Sequence, residues 1–86
     1  MPYELALPAS FSGQWKVKIR DKERLEPPHV TIIRGTDSWR LGLRDGEFMD
    51  SEPPAREIPK GLLAHIHSNW DVLTTKWNDM YPNNLV

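Results

Sequence analysis

The one chemically suggestive side chain of this 86-residue sequence is His29, which follows Pro27 and Pro28. Proline cannot donate to a strand ladder and favours an extended predecessor, so His29 is expected near the first residue of a strand. Alternation places His29 and Thr31 on one face of that strand, beside basic side chains of neighbouring strands. A histidine among cations can transfer protons while the cations stabilise a phosphorane, which is the chemistry of RNA phosphodiester cleavage.

The surrounding cations come from three predicted strands. Residues 14–20 alternate between apolar and basic side chains, which is typical of a half-buried strand. Residues 14–44 contain eight Lys and Arg against four acids, a net charge of +4, while the rest of the chain carries −5. A basic face of this kind can orient an anionic partner, although a total charge of −1 argues against tight non-specific nucleic-acid binding. The predicted binding residues are Lys16, Lys18, Arg20, Thr31, Arg40 and Arg44.

An ordinary explanation of these residues is that they keep one sheet face in water, because exposed strands often carry Lys and Arg that oppose edge pairing. Other site chemistry has little support. The chain has no cysteine, and its glycines are isolated, so neither a thiolate metal site nor a phosphate loop is predicted. His65 and His67 lie two residues apart on a predicted helix and diverge by about 200°, so they cannot hold one ion together. We therefore predict no metal and no cofactor, and His29 is the single catalytic candidate.

Three or four antiparallel strands and one helix are predicted to position these side chains. The strands lie within 14–50, with a hairpin break at Gly35 and a tight turn at Asp45-Gly46. Residues 59–80 have a helical period that begins at a proline, and they carry one apolar stripe. The stripe consists of Leu62, Leu63, Ile66, Trp70, Leu73, Trp77 and Met80. The predicted fold is α+β: an antiparallel three- to four-stranded β-meander with one C-terminal amphipathic helix packed on one face.

The length predicts a single domain. Its predicted parts are an N-terminal arm (1–13), a β-meander (14–50), an acidic Pro-rich linker (51–58), a helix (59–80) and a tail (81–86). The arm and the tail lack periodicity and are expected to be mobile. No apolar run is long enough to span a membrane, and the first residues lack the basic start of a signal peptide, so a cytoplasmic location is expected.

The segment Pro27-Pro28-His29-Val30-Thr31 resembles the Pro-Pro-His-x-His strand start of a family of small uncharacterised bacterial proteins, a domain of unknown function. The chain is similar to this family also in its Asp45-Gly46 turn, and in a late helix that opens at Ile58-Pro59-Lys60 and reaches Trp77. Such proteins are often encoded beside a small antitoxin-like partner, so the resemblance implies the toxin of a toxin–antitoxin pair. Thr31 stands where the family has its second histidine, and an activity that needs both would be absent here.

The sequence therefore favours a small cytoplasmic bacterial binding module, non-enzymatic, whose basic sheet face binds an acidic protein or RNA. The expected partner is an antitoxin-like protein or RNA, and no binding to a membrane is expected. The alternative is a toxin-type ribonuclease, with His29 as general acid–base and Arg20, Arg40 and Arg44 as phosphate contacts. A third interpretation is a structural homodimer formed through sheet edges.

Overall fold

A computed structural model of the protein describes residues 2–21 and 25–86, so Met1 and residues 22–24 of the predicted meander lie outside the described part. The elements in chain order are β1 (Tyr3–Glu4), α1 (Ala9–Ser12), β2 (Trp15–Ile19), β3 (His29–Arg34), β4 (Asp37–Gly42), a 3₁₀ turn (Ala55–Glu57), α2 (Lys60–Ser68) and α3 (Trp70–Met80). The strands form one antiparallel sheet in the order β1-β2-β3-β4. The predicted α+β class and antiparallel sheet are confirmed. None of the helices in the described ranges has the length and apolar character needed to cross a membrane.

The alternating pattern of the strands places one face of the sheet in the core. Val17, Ile32 and Trp39 are cross-strand neighbours, and all three are fully buried. They belong to one apolar cluster with side chains of the helices. The helix members of that cluster are Leu62, Ile66, Leu73 and Trp77. Burial of this shared cluster contributes most of the apolar stabilisation, because each fully buried large side chain is worth roughly 1.5–3 kcal/mol.

The predicted single helix is two helices that meet at Asn69, whose backbone (φ −109°, ψ 18°) leaves the helical region. Two polar side chains near the junction bond to backbone carbonyls one turn earlier: Ser68 Oγ to Ala64 (2.9 Å) and Asn69 Nδ2 to His65 (2.8 Å). The Asn69 amide donates to the carbonyl of Ile66, three residues back, which tightens the last turn of α2. Side chains that bond locally to the backbone compete with helix propagation, and this explains the break.

The N-terminal arm, expected to be mobile, supplies the fourth strand. Tyr3 and Glu4 pair with Ile19 and Lys18 of β2, and the Leu5 amide donates to the Val17 carbonyl over 2.9 Å. The return after the Asp45-Gly46 turn, expected as a short fourth strand, makes a single bridge between Leu41 and Phe48. A two-residue strand is too short to produce an alternating pattern, so its sequence does not reveal it.

The C-terminal tail, expected to be mobile, forms hydrogen bonds with the rest of the fold. The Trp77 indole donates to the Asn84 carbonyl (2.7 Å), and the Asn84 amide group donates to the Glu26 carbonyl (2.6 Å). The Val86 amide donates to the side chain of Asn78 (2.8 Å). The tail therefore connects α3 to the segment that precedes β3.

The segment predicted as an irregular acidic linker is packed against the sheet. It contains the 3₁₀ turn, and Ile58 at its end is buried. The Trp39 indole donates to the Pro54 carbonyl over 3.3 Å. An indole N–H in the interior needs an acceptor, and this carbonyl supplies it.

The two helix tryptophans should contribute unequally to stability, although both belong to the predicted stripe. Trp77 is fully buried, whereas Trp70 is half-buried and stacks on His67 with 5.1 Å between ring centroids. We expect Trp77→Ala to lower the free energy of unfolding by about 3–5 kcal/mol, enough to unfold a small domain, and Trp70→Ala to lower it less. Val72→Ala, at an exposed position, is the control. Similar small losses for all three in urea unfolding would contradict the assigned helix face.

Hydrogen exchange should distinguish the anchored termini from mobile ones. The amides of Leu5 and Val86 each donate within the fold, so we expect both to exchange slowly. The amide of Thr36, in the exposed hairpin turn, serves as the fast reference. If Leu5 and Val86 exchanged as fast as Thr36, the arm and the tail would be mobile after all.

Candidate functional site

The strand register brings three of the predicted binding residues into one row. Lys18, Thr31 and Arg40 are successive cross-strand partners on the sheet face opposite the core. The neighbouring row on this face consists of Lys16, Ile33 and Ser38. These two rows, with the row that pairs His29 with Gly42, make up what we call the basic face.

Burial decreases steadily along the basic face. His29 and Thr31 are 0% and 2% exposed, whereas Ile33 is partly exposed and Lys16 and Ser38 are exposed. The face is therefore closed at its His29 end and open beside the β3–β4 hairpin. We call Lys16, Lys18, Ile33 and Ser38 the open end of the basic face.

The side chain of Arg40 is about as accessible as that of Lys18, 38% against 31% exposed, but its donors are already used. Its guanidinium forms a bidentate pair with Asp50 (2.9 and 2.7 Å) and a third bond with Glu26 (3.1 Å). These bonds raise the pKa of Arg40, the Asp50 hydrogen bond most. They hold the pKa of Asp50 below its usual value, again mainly through the hydrogen bond. Bidentate charge-assisted pairs are the strongest of their kind, so Arg40 is poorly placed to bind an external anion.

The other two predicted arginines lie away from the open end. Arg20 is exposed four residues along from Lys16, about 13 Å in an extended strand, and its carbonyl accepts from the Tyr81 hydroxyl. Arg44 donates to the carbonyl of Leu85 over 2.6 Å, within the C-terminal tail. The structure therefore does not gather the six predicted binding residues into one cluster.

His29 is buried, whereas a general acid–base for RNA would have to reach the surface. Its Nδ1 lies 2.9 Å from the Pro27 carbonyl, and since a carbonyl can only accept, the proton is on Nδ1. The ring centroid is 5.5 Å from that of Trp77, a core residue. Strand alternation predicts His29 on the face of Thr31, in reach of solvent, but its ring is buried beside Trp77 instead. In this conformation an external phosphate cannot reach the ring, and the catalytic role stays a prediction.

The two lysines of the open end differ from the arginines. Lys16 is exposed and forms no ion pair with any described residue. Lys18 Nζ lies 3.9 Å from Glu4 Oε1, and both side chains are accessible, 31% and 53% exposed. A separation near the limit of an ion pair, in water, contributes little. These two ammonium groups are consequently available to an external anion.

A small cleft adjoins the open end. It has a volume of 190 Å³, and its lining includes Gln14, Lys16, Ile33 and Gly35. Sites for small-molecule ligands usually occupy about 300–1,000 Å³, so this cleft suits a single side chain better. Sequence reasoning missed Gln14 and Ile33. Pairing the strands about the Gly35 turn would have placed Ile33 beside Ser38, whereas its place beside Lys16 depends on the pairing of β2 with β3.

Arg34 was also missed, and it has a structural role on the other face. Its guanidinium lies 5.3 Å from the ring centroids of both Trp15 and Trp39. It donates to Asp37 (2.9 Å) and Glu57 (2.7 Å), and these hydrogen bonds raise its pKa. The Glu57 contact ties the end of β3 to the segment predicted as a linker. The Arg34-x-x-Asp37 spacing across the turn was the available sequence signal.

No group of three His, Cys, Asp or Glu suited to a metal ion occurs within residues 2–21 and 25–86. His65 Nε2 instead donates to the Ala6 carbonyl (2.8 Å), which ties α2 to the N-terminal arm. His67 stacks on Trp70. Both histidines thus make structural contacts.

Comparisons with protein-family models, with curated proteins and with solved structures found no match to this chain. The resemblance to the family with the Pro-Pro-His-x-His strand start therefore stays a prediction.

The Arg40–Asp50 pair predicts a specific pH dependence of stability. The folded-state pKa of Asp50 is lowered, so its contribution is present above the unfolded pKa of about 3.9 and is lost as the pH falls through the lower folded value. At pH 7 we expect Asp50→Asn to reduce the free energy of unfolding by roughly 0.2–1 kcal/mol, as for other accessible pairs.

Urea unfolding at several pH values checks this expectation. The difference between the unmodified protein and Asp50→Asn should shrink as the pH falls below about 4. Asp79→Asn, which removes an exposed carboxylate of α3, is the matched control and should show no such convergence. A difference that stays constant down to pH 2 would contradict the role given to this pair.

Proposed function

We propose that the protein is a non-enzymatic binding module that uses the open end of its basic face to bind an acidic segment of a partner protein. The observation that carries the proposal is the contrast between committed and available cations. Arg40 is held at 2.7–3.1 Å by two acids, whereas Lys16 has no ion pair with a described residue and Lys18 has one at 3.9 Å. Complementary exposed charges mainly accelerate encounter and determine specificity.

The chemistry of the open end favours a protein segment over RNA. Proteins that bind single-stranded nucleic acid use aromatic side chains to stack bases, worth about 1–3 kcal/mol per base. The open end offers Ile33 and a side-chain-sized cleft beside Lys16 and the hairpin. The four residues that define the open end include no aromatic side chain, and Trp15, which lines the adjoining cleft, is only 4% exposed and therefore offers no ring face for stacking. Ile33 and the cleft suit an apolar side chain beside the acids of a peptide. A small antitoxin-like protein with an acidic segment is one such partner, and this identification depends on the family resemblance alone.

The alternative, a ribonuclease dependent on His29, requires the ring to leave its place beside Trp77. Incubation of labelled RNA with the unmodified protein and with His29→Ala tests it directly. Cleavage that disappears in the variant would establish the enzyme and displace the binding module as the main function.

Charge reversal at the open end provides the test of the proposed function. We expect Lys16→Glu to weaken binding of a fluorescent Glu-rich peptide several-fold at low salt and to leave the melting temperature nearly unchanged, because exposed charges contribute little to folding. The loss should diminish at physiological salt as the charges are screened. Fluorescence anisotropy measures both effects.

Lys60→Glu makes the same charge change at the exposed start of α2, away from the open end, and is the control. Equal affinities of the two variants would contradict the assignment of the surface. Tighter binding of an RNA oligonucleotide of matched charge would make RNA the partner class.

A further inference from the structure

Among residues 2–21 and 25–86, Glu4 is the one acid that forms an ion pair with the open end. It lies in β1, directly opposite Lys18 in the pairing of β1 with β2, and its carboxylate is 3.9 Å from the Lys18 ammonium. With 53% of its side chain exposed, the carboxylate remains in water. The pair is therefore formed without the desolvation that makes a buried ion pair costly to break.

We propose that Glu4 acts as an intramolecular competitor for the partner's acidic group at Lys18. The inference rests on the proposed function, and it concerns how that surface is regulated. In the free protein Glu4 partly neutralises Lys18. On binding, a carboxylate of the partner forms the ion pair with the Lys18 ammonium. The Glu4 side chain then rotates away toward solvent.

The geometry makes Lys18 the exchangeable cation of the sheet. Arg34 and Arg40 each hold two carboxylates at 2.7–3.1 Å, and Arg40 does so in a bidentate arrangement. Lys18 has a single, longer contact. A lysine ammonium is a strongly hydrated point charge on a flexible stem, so it changes partners more readily than a planar, bidentate guanidinium. An incoming acid is therefore expected to exchange with Glu4 and not with Asp50 or Glu57.

Placement on β1 gives the competition a structural basis. β1 pairs with β2 over only two residues, and Leu5, which follows, is buried and bonded to Val17. The backbone that carries Glu4 is thus fixed while its side chain stays free to rotate. Release of Lys18 requires a change of rotamer only, and the sheet remains intact.

The test compares Glu4→Gln with Asp79→Asn, each of which removes one exposed negative charge. The probe is the fluorescent Glu-rich peptide, titrated at low and at physiological salt. We expect Glu4→Gln to bind about two- to fivefold more tightly than Asp79→Asn at low salt, in line with the strength of exposed pairs. The gain should shrink at physiological salt.

A second pair of variants shows whether the gain passes through Lys18. Adding Glu4→Gln to Lys18→Met should leave the affinity of Lys18→Met unchanged, because the cation for which Glu4 competes is gone. Equal affinities of Glu4→Gln and Asp79→Asn, or an undiminished gain in the Lys18→Met background, would overturn the competitor role. If Lys16→Glu still weakened binding in that case, the proposed function would stand without it. If Lys16→Glu had no effect either, both proposals would fail.

Discussion

Four acids, three of them outside the sheet, hold Arg34 and Arg40, and these ion pairs fix segments of the non-helical part of the chain to the sheet. Asp50 and Glu26 hold Arg40, while Glu57 and Asp37 hold Arg34. Both arginine side chains stay accessible, 33% and 38% exposed, so these pairs contribute modestly to stability and mainly determine where the flanking segments lie. The pairs draw residues 45–58 onto the sheet, where Pro54 accepts the Trp39 indole hydrogen bond.

This pairing explains the uneven distribution of charge along the sequence. The excess of +4 within 14–44 and the −5 elsewhere are partly matched inside the molecule. Glu4, Asp50 and Glu57, which lie outside 14–44, all contact cations within it. A segregated charge pattern in the sequence therefore reflects internal contacts first, and only the cations that remain accessible can serve a partner.

The closed end of the basic face follows from contacts distant in sequence. Trp77 packs beside His29, and Asn84 reaches the carbonyl of Glu26. The His29 end of the basic face is buried by three parts of the chain: the tail, α3 and the segment before β3. Strand alternation predicts one continuous basic face. In the structure this face has a buried, structural part and an open end, and the open end contains Lys16 and Lys18.

Much of the sheet could be predicted from local patterns, since alternation in 14–20 separates Val17 from Lys16 and Lys18 whatever else the chain does. The helical period of the apolar residues after Pro59 likewise identifies four core residues: Leu62, Ile66, Leu73 and Trp77. Three features could not be predicted this way. β1 is too short to have a period, and the break at Asn69 depends on side-chain bonds inside an otherwise continuous stripe.

The third feature, the burial of His29, depends on contacts with a helix nearly fifty residues later, which no local pattern contains. The ion pairs could not be predicted locally either. The alternating pattern of β4 does not show whether Arg40 faces solvent or contacts acids from other segments. Local sequence predicts which face a residue lies on. Distant sequence decides whether that face is covered.

We propose that an acidic partner binds at the open end of the basic face. A ¹H–¹⁵N chemical-shift titration with an acidic peptide, at low salt, tests it most directly because it reports on every backbone amide together. We predict shifts that cluster at Lys16, Lys18, Ile33 and Ser38, with little change at Arg44 and His29. Shifts centred on Arg20, His29 and Arg44, or on the helices, would contradict this account.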